Sequence, residues 1–223
     1  MKKAFFITGT DTDAGKTTVA TALLYAAQEQ QLSTLAIKPV ASGCEMTEQG
    51  LRNSDALKLM AHSSIKRPYA EVNPYAFAPA IAPHLAAQEV GIALTISDLY
   101  QKAQVILQQQ ADFTLIEGAG GWRVPISNSE YLSDLAIALQ LPVILVVGVK
   151  LGCINHALLT AQAIIADDLK LAGWVANVVD PNGLRLNENL ASLKTRMPAP
   201  CLGQVPYLAQ ASAKAVASYL THC

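Results

Sequence analysis

The sequence predicts an α/β fold in which a mostly parallel sheet carries helices on both faces. Short apolar runs alternate along the chain with amphipathic segments, the pattern of strands joined by crossover helices. Glycine and polar residues gather directly after the apolar runs, where such sheets bind ligands. The 223 residues are 52% hydrophobic and 15% charged, which excludes a disordered chain and favours a single domain over residues 1–223.

The predicted strands are short apolar runs: Ala4–Thr8, Leu35–Ile37, Phe113–Ile116, Val143–Gly148, Gly173–Val179 and Leu202–Val205. The predicted helices are the amphipathic segments between them: Thr17–Gln30, Asp55–His62, Ile96–Gln110, Ser133–Leu139, Asn155–Ala166, Leu184–Met197 and Ala211–Leu220. Residues Pro68–Pro83 contain four prolines and are predicted to form a long loop.

Composition and charge argue against several classes of function. Sixteen Lys and Arg residues balance seventeen Asp and Glu residues, so the net charge of −1 favours neither nucleic acid nor a membrane surface as a partner. The longest apolar stretch, Leu141–Val149, is shorter than the roughly 20 residues of a membrane-spanning helix and suits a buried strand. The short apolar segment near the start lacks a cleavage pattern, so we expect a cytoplasmic protein. The four cysteines and four histidines are scattered, which argues against disulfides and zinc.

Candidate functional residues follow the strands at one edge of the predicted sheet. Gly9–Thr18 follows the first strand, Lys38–Gly43 the second, Glu117–Gly121 the third and Lys150–Asn155 the fourth. Asn177 lies near the end of the fifth strand. Because the carboxyl ends of parallel strands meet at one edge of a sheet, we expect these segments to form one site.

The segment Gly9–Thr18 (GTDTDAGKTT) resembles a phosphate-binding P-loop, since it follows a strand and opens a helix. Backbone N–H groups and the helix dipole favour phosphate there, and Lys16 can reach the β- and γ-phosphates of ATP. The hydroxyl of Thr17 can ligate Mg²⁺. Thr10 stands where the usual pattern has its first glycine, so the loop is a variant. The alternative is a Gly-Lys-Thr helix cap, but the context predicts a fold of the P-loop NTPase type.

Other polar residues at this edge have a functional and a structural interpretation. Glu117 occupies the place of an acidic Mg²⁺ ligand, and the alternative is an ordinary carboxylate at the edge of the sheet. Asp55 is either a further Mg²⁺ ligand or a residue that compensates the dipole of a helix N-terminus. Lys38 either stabilises the charge that develops during phosphoryl transfer or is a surface lysine. Ser42 likewise is either a functional residue or an ordinary serine of a loop of small residues. The amide of Asn177 can pair with an adenine edge or satisfy a turn. The sequence has no Asn-Lys-x-Asp motif, so guanine recognition is not predicted.

As a set, these motifs resemble the dethiobiotin synthetase family, the ATP-dependent carboxylases of biotin biosynthesis. The resemblance rests on the P-loop together with Lys38–Gly43, Asn53–Ala56, Glu117–Gly121 and Gly152–Ala157. It runs from Phe5 to about Leu208, nearly the whole chain.

The resemblance implies a reaction of ATP, Mg²⁺ and CO₂ with 7,8-diaminopelargonic acid. One amine becomes a carbamate, whose oxygen attacks the γ-phosphate to give a carbamic-phosphoric anhydride. The second amine then closes a cyclic urea and expels phosphate, which leaves dethiobiotin and ADP.

The resemblance also implies roles for individual residues. Lys16 and Lys38 would be catalytic, and Thr17, Asp55 and Glu117 would hold Mg²⁺. The residues implied to contact the nucleotide are Ala14, Gly15, Lys16, Thr17, Thr18, Asp55, Glu117, Gly118, Ala119, Gly120, Asn177, Pro206, Tyr207 and Leu208.

The family forms a homodimer whose substrate site is completed across the interface. The resemblance implies that Thr12 and Ser42 contact the diamine end of the substrate. The Gly152–His156 loop would reach the substrate bound to the other subunit, with Asn155 on its carboxylate tail. We expect His156 to be structural.

Two departures and two rival classes qualify the resemblance. Asp13 stands where many members carry glutamate, and Gln210 where some carry an acid near the ribose. Related P-loop amide-forming ligases usually carry a glutaminase domain, for which 223 residues leave no room. Partition-type ATPases, which act as ATP-switched dimers, usually carry a lysine five positions before the P-loop lysine, where this chain has Asp11.

Overall fold

The structure is a computed structural model that describes residues 2–221. Its strands are β1 (Lys3–Gly9), β2 (Thr34–Ile37), β3 (Val40–Ala41), β4 (Glu45–Thr47), β5 (Gly50–Arg52), β6 (Tyr75–Ala76), β7 (Phe113–Glu117), β8 (Val143–Val149), β9 (Leu171–Val178) and β10 (Cys201–Val205). Its helices are α1 (Lys16–Glu29), α2 (Ser54–His62), α3 (Tyr69–Val72), α4 (Pro83–Glu89), α5 (Ile96–Leu107), α6 (Leu132–Leu139), α7 (Cys153–Ala166), α8 (Leu186–Arg196) and α9 (Ala213–Ala217).

Six strands form the central sheet in the order β10-β9-β8-β1-β7-β2, and each neighbouring pair is parallel. The first strand lies between β7 and β8, with Ile7 opposite Glu117. This register brings the end of β1 and the end of β7 to the same edge. The predicted mostly parallel sheet is therefore confirmed.

Helices cover both faces of this sheet because successive strand residues point to opposite sides. Ile7 of β1 packs in a core with residues of α1, α2 and α9, whereas its neighbour Phe6 packs in a second core with residues of α5, α6, α7 and α8. Every residue of β8 is buried, as expected for a strand covered on both faces.

The structure differs from the sequence prediction mainly between residues 38 and 90. The predicted loop Pro68–Pro83 contains α3 and β6, and α4 begins at Pro83, so the prediction of a loop was wrong in part. The short pairs β3–β6 and β4–β5 were not predicted either. A strand of two residues is too short to show an alternation of apolar and polar residues. The prolines in this region indicated a loop, so the short helices were not predicted.

Element ends differ by a few residues elsewhere. Helix α5 ends at Leu107 rather than Gln110, whose φ of 56° is incompatible with a continuing helix. Helix α7 begins at Cys153, two residues before the predicted start, directly after Gly152 at a φ of 90°. Within residues 2–221, no helix combines the length and the apolar character that crossing a membrane requires.

Candidate active site at the carboxyl edge of the sheet

The loop between β1 and α1 is held tightly against the neighbouring strand ends. Gly15 has a φ of 88°, and a Cβ there would lie 2.1 Å from Nδ2 of Asn177. That Nδ2 donates a hydrogen bond of 2.9 Å to the carbonyl of Ala14. A Cβ on Gly148 of β8 would come within 3.0 Å of Cα of Ala14. Glycine is thus required at position 15 by conformation and space, and at Gly148 by space.

The start of α1 has the features that favour an anion. Its first turn contains no acidic residue, and no side chain caps it. The first N–H groups of a helix have no partner within the helix, and the helix dipole places partial positive charge beside them. The predicted nucleotide residues Ala14, Gly15, Lys16, Thr17 and Thr18 all lie at this point, which suits a phosphate group.

Lys16 bridges the loop and the segment that follows β7. Its Nζ donates to the carbonyl of Gly120 at 2.6 Å and to the carbonyl of Asp11 at 3.1 Å. Burial, followed by repulsion from Lys38, lowers the pKa of Lys16 to about 8. Negative phosphate groups would relieve this penalty, since they stabilise the charged ammonium.

Glu117, at the end of β7, is fully buried and forms the centre of a charged cluster. Its Oε1 accepts hydrogen bonds of 2.7 Å from Oγ1 of Thr17 and from Nζ of Lys38. Oδ2 of Asp55 lies 3.5 Å from the same Nζ. Burial disfavours the ammonium of Lys38, but attraction to Glu117 and Asp55 outweighs it and raises the pKa of Lys38.

The donor set around Glu117 fits Mg²⁺. Oε2 of Glu117 is buried and has no hydrogen-bond partner. Thr17 contacts the other oxygen of this carboxylate, and Asp55 shares Lys38 with it. Mg²⁺ prefers oxygen ligands and keeps waters and substrate phosphates in its shell. Over residues 2–221, no group of three or more His, Cys, Asp or Glu side chains is placed to hold a metal ion.

A cavity of about 570 Å³ opens at this edge and contains both lysines in its wall. The predicted substrate residues Thr12 and Ser42 line it, and Oγ of Ser42 is buried without a hydrogen-bond partner. The predicted residues Asp55, Ala119 and Gly120 also line it. Three predicted site residues, Thr12, Ser42 and Asp55, therefore line one cavity together with both lysines, and Glu117 contacts this wall through Lys38.

Asn155 and the segment Pro206–Leu208 are among the predicted residues that do not line this cavity. Asn155 is exposed on the first turn of α7 and is not part of the cavity wall. Pro206–Leu208 follow β10, and Val205 pairs with Asn177, so this segment leaves the sheet beside Asn177. The structure adds a role for Asn177 that the sequence did not indicate, since its amide braces the P-loop.

Sequence reasoning missed Arg123, which lines the cavity. Its guanidinium donates to Oδ1 of Asp167 at 2.7 Å and to Oγ of Ser133 at 3.0 Å. Trp122 donates to the other oxygen of Asp167 at 2.8 Å, so α6 and α7 together hold the segment after β7. The position of Arg123 directly after the Gly-Ala-Gly-Gly-Trp run was the available signal.

Asp11 connects the P-loop to the end of β8. Its Oδ2 lies 3.0 Å from Nζ of Lys150, and its Oδ1 accepts the N–H of Thr12. The hydrogen bond from Lys150 is the main cause that lowers the pKa of Asp11. Partition-type ATPases usually carry a lysine at the position of Asp11, whereas in this chain the position holds a carboxylate that is paired with Lys150.

The fold and the site define a P-loop ATP-binding protein of the NTPase fold. The likeness extends to the MinC:MinD cell division protein complex of Aquifex aeolicus (TM-score 0.59, 15% identity, 93% of this chain and 82% of that chain). It extends also to a ParA family ATPase of Chlorobium tepidum (TM-score 0.57, 12% identity, 100% of this chain and 92% of that chain). At such identities the likeness concerns the fold alone.

Sequence comparison narrows this class to one family. A family profile described as an AAA domain matches residues 3–215. The ATP-dependent dethiobiotin synthetase BioD of Pseudomonas aeruginosa is 64% identical over 217 residues, which cover 97% of this chain and 95% of that protein. The protein of the same name from Cellvibrio japonicus is 61% identical over 219 residues, or 98% of this chain and 96% of that protein. The chain belongs to the ATP-dependent dethiobiotin synthetase family.

Proposed function

We propose that this protein uses ATP to convert 7,8-diaminopelargonic acid and CO₂ into dethiobiotin, ADP and phosphate, a step of biotin biosynthesis. The observation that carries the proposal is the pair of buried lysines in the wall of one cavity beside the P-loop. Two anions, a carbamate and a triphosphate, must be held together for this reaction, and two cations in one site offset their repulsion. The family relationship supports the same activity.

The first role of the site is to hold the carbamate that forms when one substrate amine adds to CO₂. Lys38 is the cation for this anion, because it lines the same cavity as Ser42 and is not part of the P-loop. The buried, unpartnered hydroxyl of Ser42 and the side chain of Thr12 are available to the nitrogens of the diamine. The carbamate oxygen is already anionic, so no side-chain base is needed.

The second role is transfer of the γ-phosphoryl group. The carbamate oxygen forms a bond to phosphorus while the bond to the ADP oxygen breaks. Lys16 and the N–H groups at the start of α1 stabilise the charge that develops on the phosphoryl oxygens. Thr17, Asp55 and Glu117 would hold Mg²⁺, which supplies charge neutralisation on the phosphates when bound.

The third role is ring closure. The second amine attacks the carbonyl carbon of the anhydride, and phosphate leaves as the C–O bond breaks. The departing phosphate accepts the proton from nitrogen.

We propose that adenine lies between Asn177 and the Pro206–Leu208 segment, because both leave the sheet at the same edge as the P-loop. Gly118, Ala119 and Gly120 follow Glu117 along the same edge and complete the nucleotide site. The location remains a prediction, as does the cytoplasmic setting. Residues 1–223 are proposed to act as one domain, because both helix layers pack on a single sheet.

We further propose a homodimer in which the Gly152–His156 loop completes the substrate site of the other subunit. Leu151, directly before this loop, is 95% exposed, and Asn155 is exposed beside it. Sedimentation velocity should give a dimer for the wild type and a monomer for Leu151→Asp. A wild-type monomer that is fully active would remove this part of the proposal.

The test of the activity is phosphate release with and without each substrate. Phosphate and a product with the mass of the cyclic urea should form only when diaminopelargonate and bicarbonate are both present. Lys16→Gln should lower turnover by orders of magnitude while the circular dichroism spectrum is unchanged, because it removes the charge partner of the phosphoryl group. Hydrolysis that responds to DNA and ignores the diamine would instead favour a partition-type ATPase, whose fold this chain shares.

A further inference from the structure

A chain of hydrogen bonds links the backbone of Lys38 to the helix that carries Asp55. The N–H of Asn53 donates to the hydroxyl of Tyr69 at 2.7 Å, and that hydroxyl donates to Oδ1 of Asn73 at 2.8 Å. Nδ2 of Asn73 then donates to the carbonyl of Lys38 at 2.8 Å. We call the backbone N–H of Asn53 and the side chains of Tyr69 and Asn73 the Asn53–Tyr69–Asn73 relay. It connects two elements that the sheet itself does not connect.

At one end, the relay fixes Lys38 where the sheet cannot. Strand β2 is at the edge of the sheet, so the residue after it has no neighbouring strand on its outer side. The N–H of Lys38 donates to the carbonyl of Val72 at 2.8 Å, and its carbonyl accepts from Asn73. Asn73 is only 2% exposed, and its amide also donates to the carbonyl of Tyr75 at 3.3 Å. Both backbone polar groups of Lys38 are therefore held by one short segment.

At the other end, the relay fixes the start of α2. Asn53 is the N-cap of this helix, and its Oδ1 accepts the N–H of Asp55 at 3.1 Å. The residue is 7% exposed, so its own N–H depends on the hydroxyl of Tyr69 for a partner. The guanidinium of Arg52 lies 4.2 Å from the centre of the Tyr69 ring and holds that ring in place.

We propose that Tyr69 and Asn73 are positioning residues of the active site. They set the separation between Lys38 and Asp55, whose charged atoms lie 3.5 Å apart beside Glu117. Neither Tyr69 nor Asn73 lines the cavity, so they act through the residues that do. The inference rests on the proposed function, because it assigns Lys38 to the anionic intermediate and Asp55 to Mg²⁺. Partners that orient ligands in this way affect metal affinity or activity by about 10- to 100-fold.

The test compares Tyr69→Phe with Tyr25→Phe. The first change deletes the hydroxyl at the centre of the relay and keeps the ring over Arg52. The second deletes a tyrosine hydroxyl on α1 that makes no hydrogen bond in the described structure. Isothermal titration measures Mg²⁺ binding to each protein in the presence of a non-hydrolysable ATP analogue, and the same method measures the analogue alone. Thermal unfolding of each protein is recorded first.

We expect the dissociation constant for Mg²⁺ to rise about tenfold or more in Tyr69→Phe, with binding of the analogue alone within twofold of the wild type. Turnover at limiting Mg²⁺ should fall, and the KM for the Mg²⁺–ATP complex should rise, because binding of the ion and binding of the complex are thermodynamically linked. Tyr25→Phe should match the wild type in every measurement. Asn73→Ser removes the donor to Lys38 and should repeat the result of Tyr69→Phe, and it decides the question if Tyr69→Phe does not fold.

Mg²⁺ affinity within twofold of the wild type in a folded relay variant would overturn the inference. An equal loss in Tyr25→Phe would do the same, because it would reflect a general effect of the substitution. If the wild type makes no dethiobiotin, but its Mg²⁺ affinity is still about tenfold higher than that of the relay variants, the proposed function is refuted and the positioning role of the relay is retained.

Discussion

Lys16 should make the free energy of unfolding depend on pH in a direction that the structure fixes. Burial, and then the charge of Lys38, lowers the pKa of Lys16 from 10.5 to about 8 in the folded protein without nucleotide. In the unfolded chain the value returns to about 10.4. Between about pH 8 and about pH 10 the unfolded chain therefore binds more protons than the folded protein, and stability rises with pH across this window.

Substitution of Lys16 by Met removes this titration and supplies the measurement. The difference between 10.5 and about 8 corresponds to about 3 kcal/mol, at about 1.4 kcal/mol for each pH unit. From about pH 7 to about pH 9.5, some 2 kcal/mol of this cost is relieved in the wild type and none in Lys16→Met. The free energy of unfolding of the wild type, minus that of Lys16→Met, should therefore increase by about 2 kcal/mol across this range.

Urea denaturation of the nucleotide-free proteins measures this difference. Far-UV circular dichroism and the fluorescence of the two buried tryptophans, Trp122 and Trp174, report the transition. The slope of stability against urea should match between proteins, so that the midpoints can be compared. Lys102→Met, at an exposed position on α5, is the matched control and should follow the wild type. A difference that stays flat within about 0.5 kcal/mol, or that falls with pH, would refute the reasoning about Lys16.

Three further substitutions test the charged cluster and the loop. Lys38→Met should destabilise the protein by about 3–5 kcal/mol, because it leaves the buried carboxylate of Glu117 without its cation. Adding Glu117→Gln should restore most of the free energy of unfolding but not the turnover, and no recovery of stability would mean that the two residues are not coupled. Gly15→Ala should lower the free energy of unfolding by at least about 1–2 kcal/mol and weaken ATP binding, since the φ of Gly15 is 88° and the new Cβ would collide with Asn177. Adding Asn177→Ala should recover only part of this stability, and full recovery would show that the backbone conformation of Gly15 does not contribute to the loss. Thr17→Val should raise the Mg²⁺ concentration needed for half-maximal turnover by about tenfold or more, whereas Thr17→Ser, which keeps the hydroxyl, should leave it nearly unchanged. The same Mg²⁺ requirement in both variants would exclude the Thr17 hydroxyl as a ligand.

The central sheet was predictable because its signals are local. Each strand of this sheet is a short apolar run, and the alternation of strands with helices predicted the parallel arrangement. Lys16, Thr17 and Glu117 follow strands in recognisable motifs, and the rule that ligands bind at the carboxyl ends of strands placed them together before any coordinates. The structure brings these three residues within one hydrogen-bonded cluster and its adjoining loop.

Contacts between distant parts of the chain were not predictable from local pattern. The amide of Asn177 donates a hydrogen bond to the carbonyl of Ala14, which is 163 residues away, and no local pattern indicates this contact. Arg123 is held by Asp167, 44 residues later. The sequence around Asn177 or Asp167 does not indicate these contacts, because asparagine and aspartate are common at the ends of helices and strands. Which residue each of them contacts depends on the folded topology.

The segment around Tyr69 shows why the least predictable region lies close to the chemistry. Strand β2 is at the edge of the sheet, so the sheet orders Lys38 on one side only. Any fold that places a functional lysine there must order its other side with a segment outside the sheet. Such a segment needs only enough regular structure to present its donors and acceptors, and here that is one helical turn and a two-residue strand. Its sequence therefore carries prolines and polar residues that indicate a loop, although Val72 and Asn73 hydrogen-bond to both backbone polar groups of Lys38. Substitutions between residues 69 and 76 should for that reason alter the geometry of Lys38 before they alter the sheet.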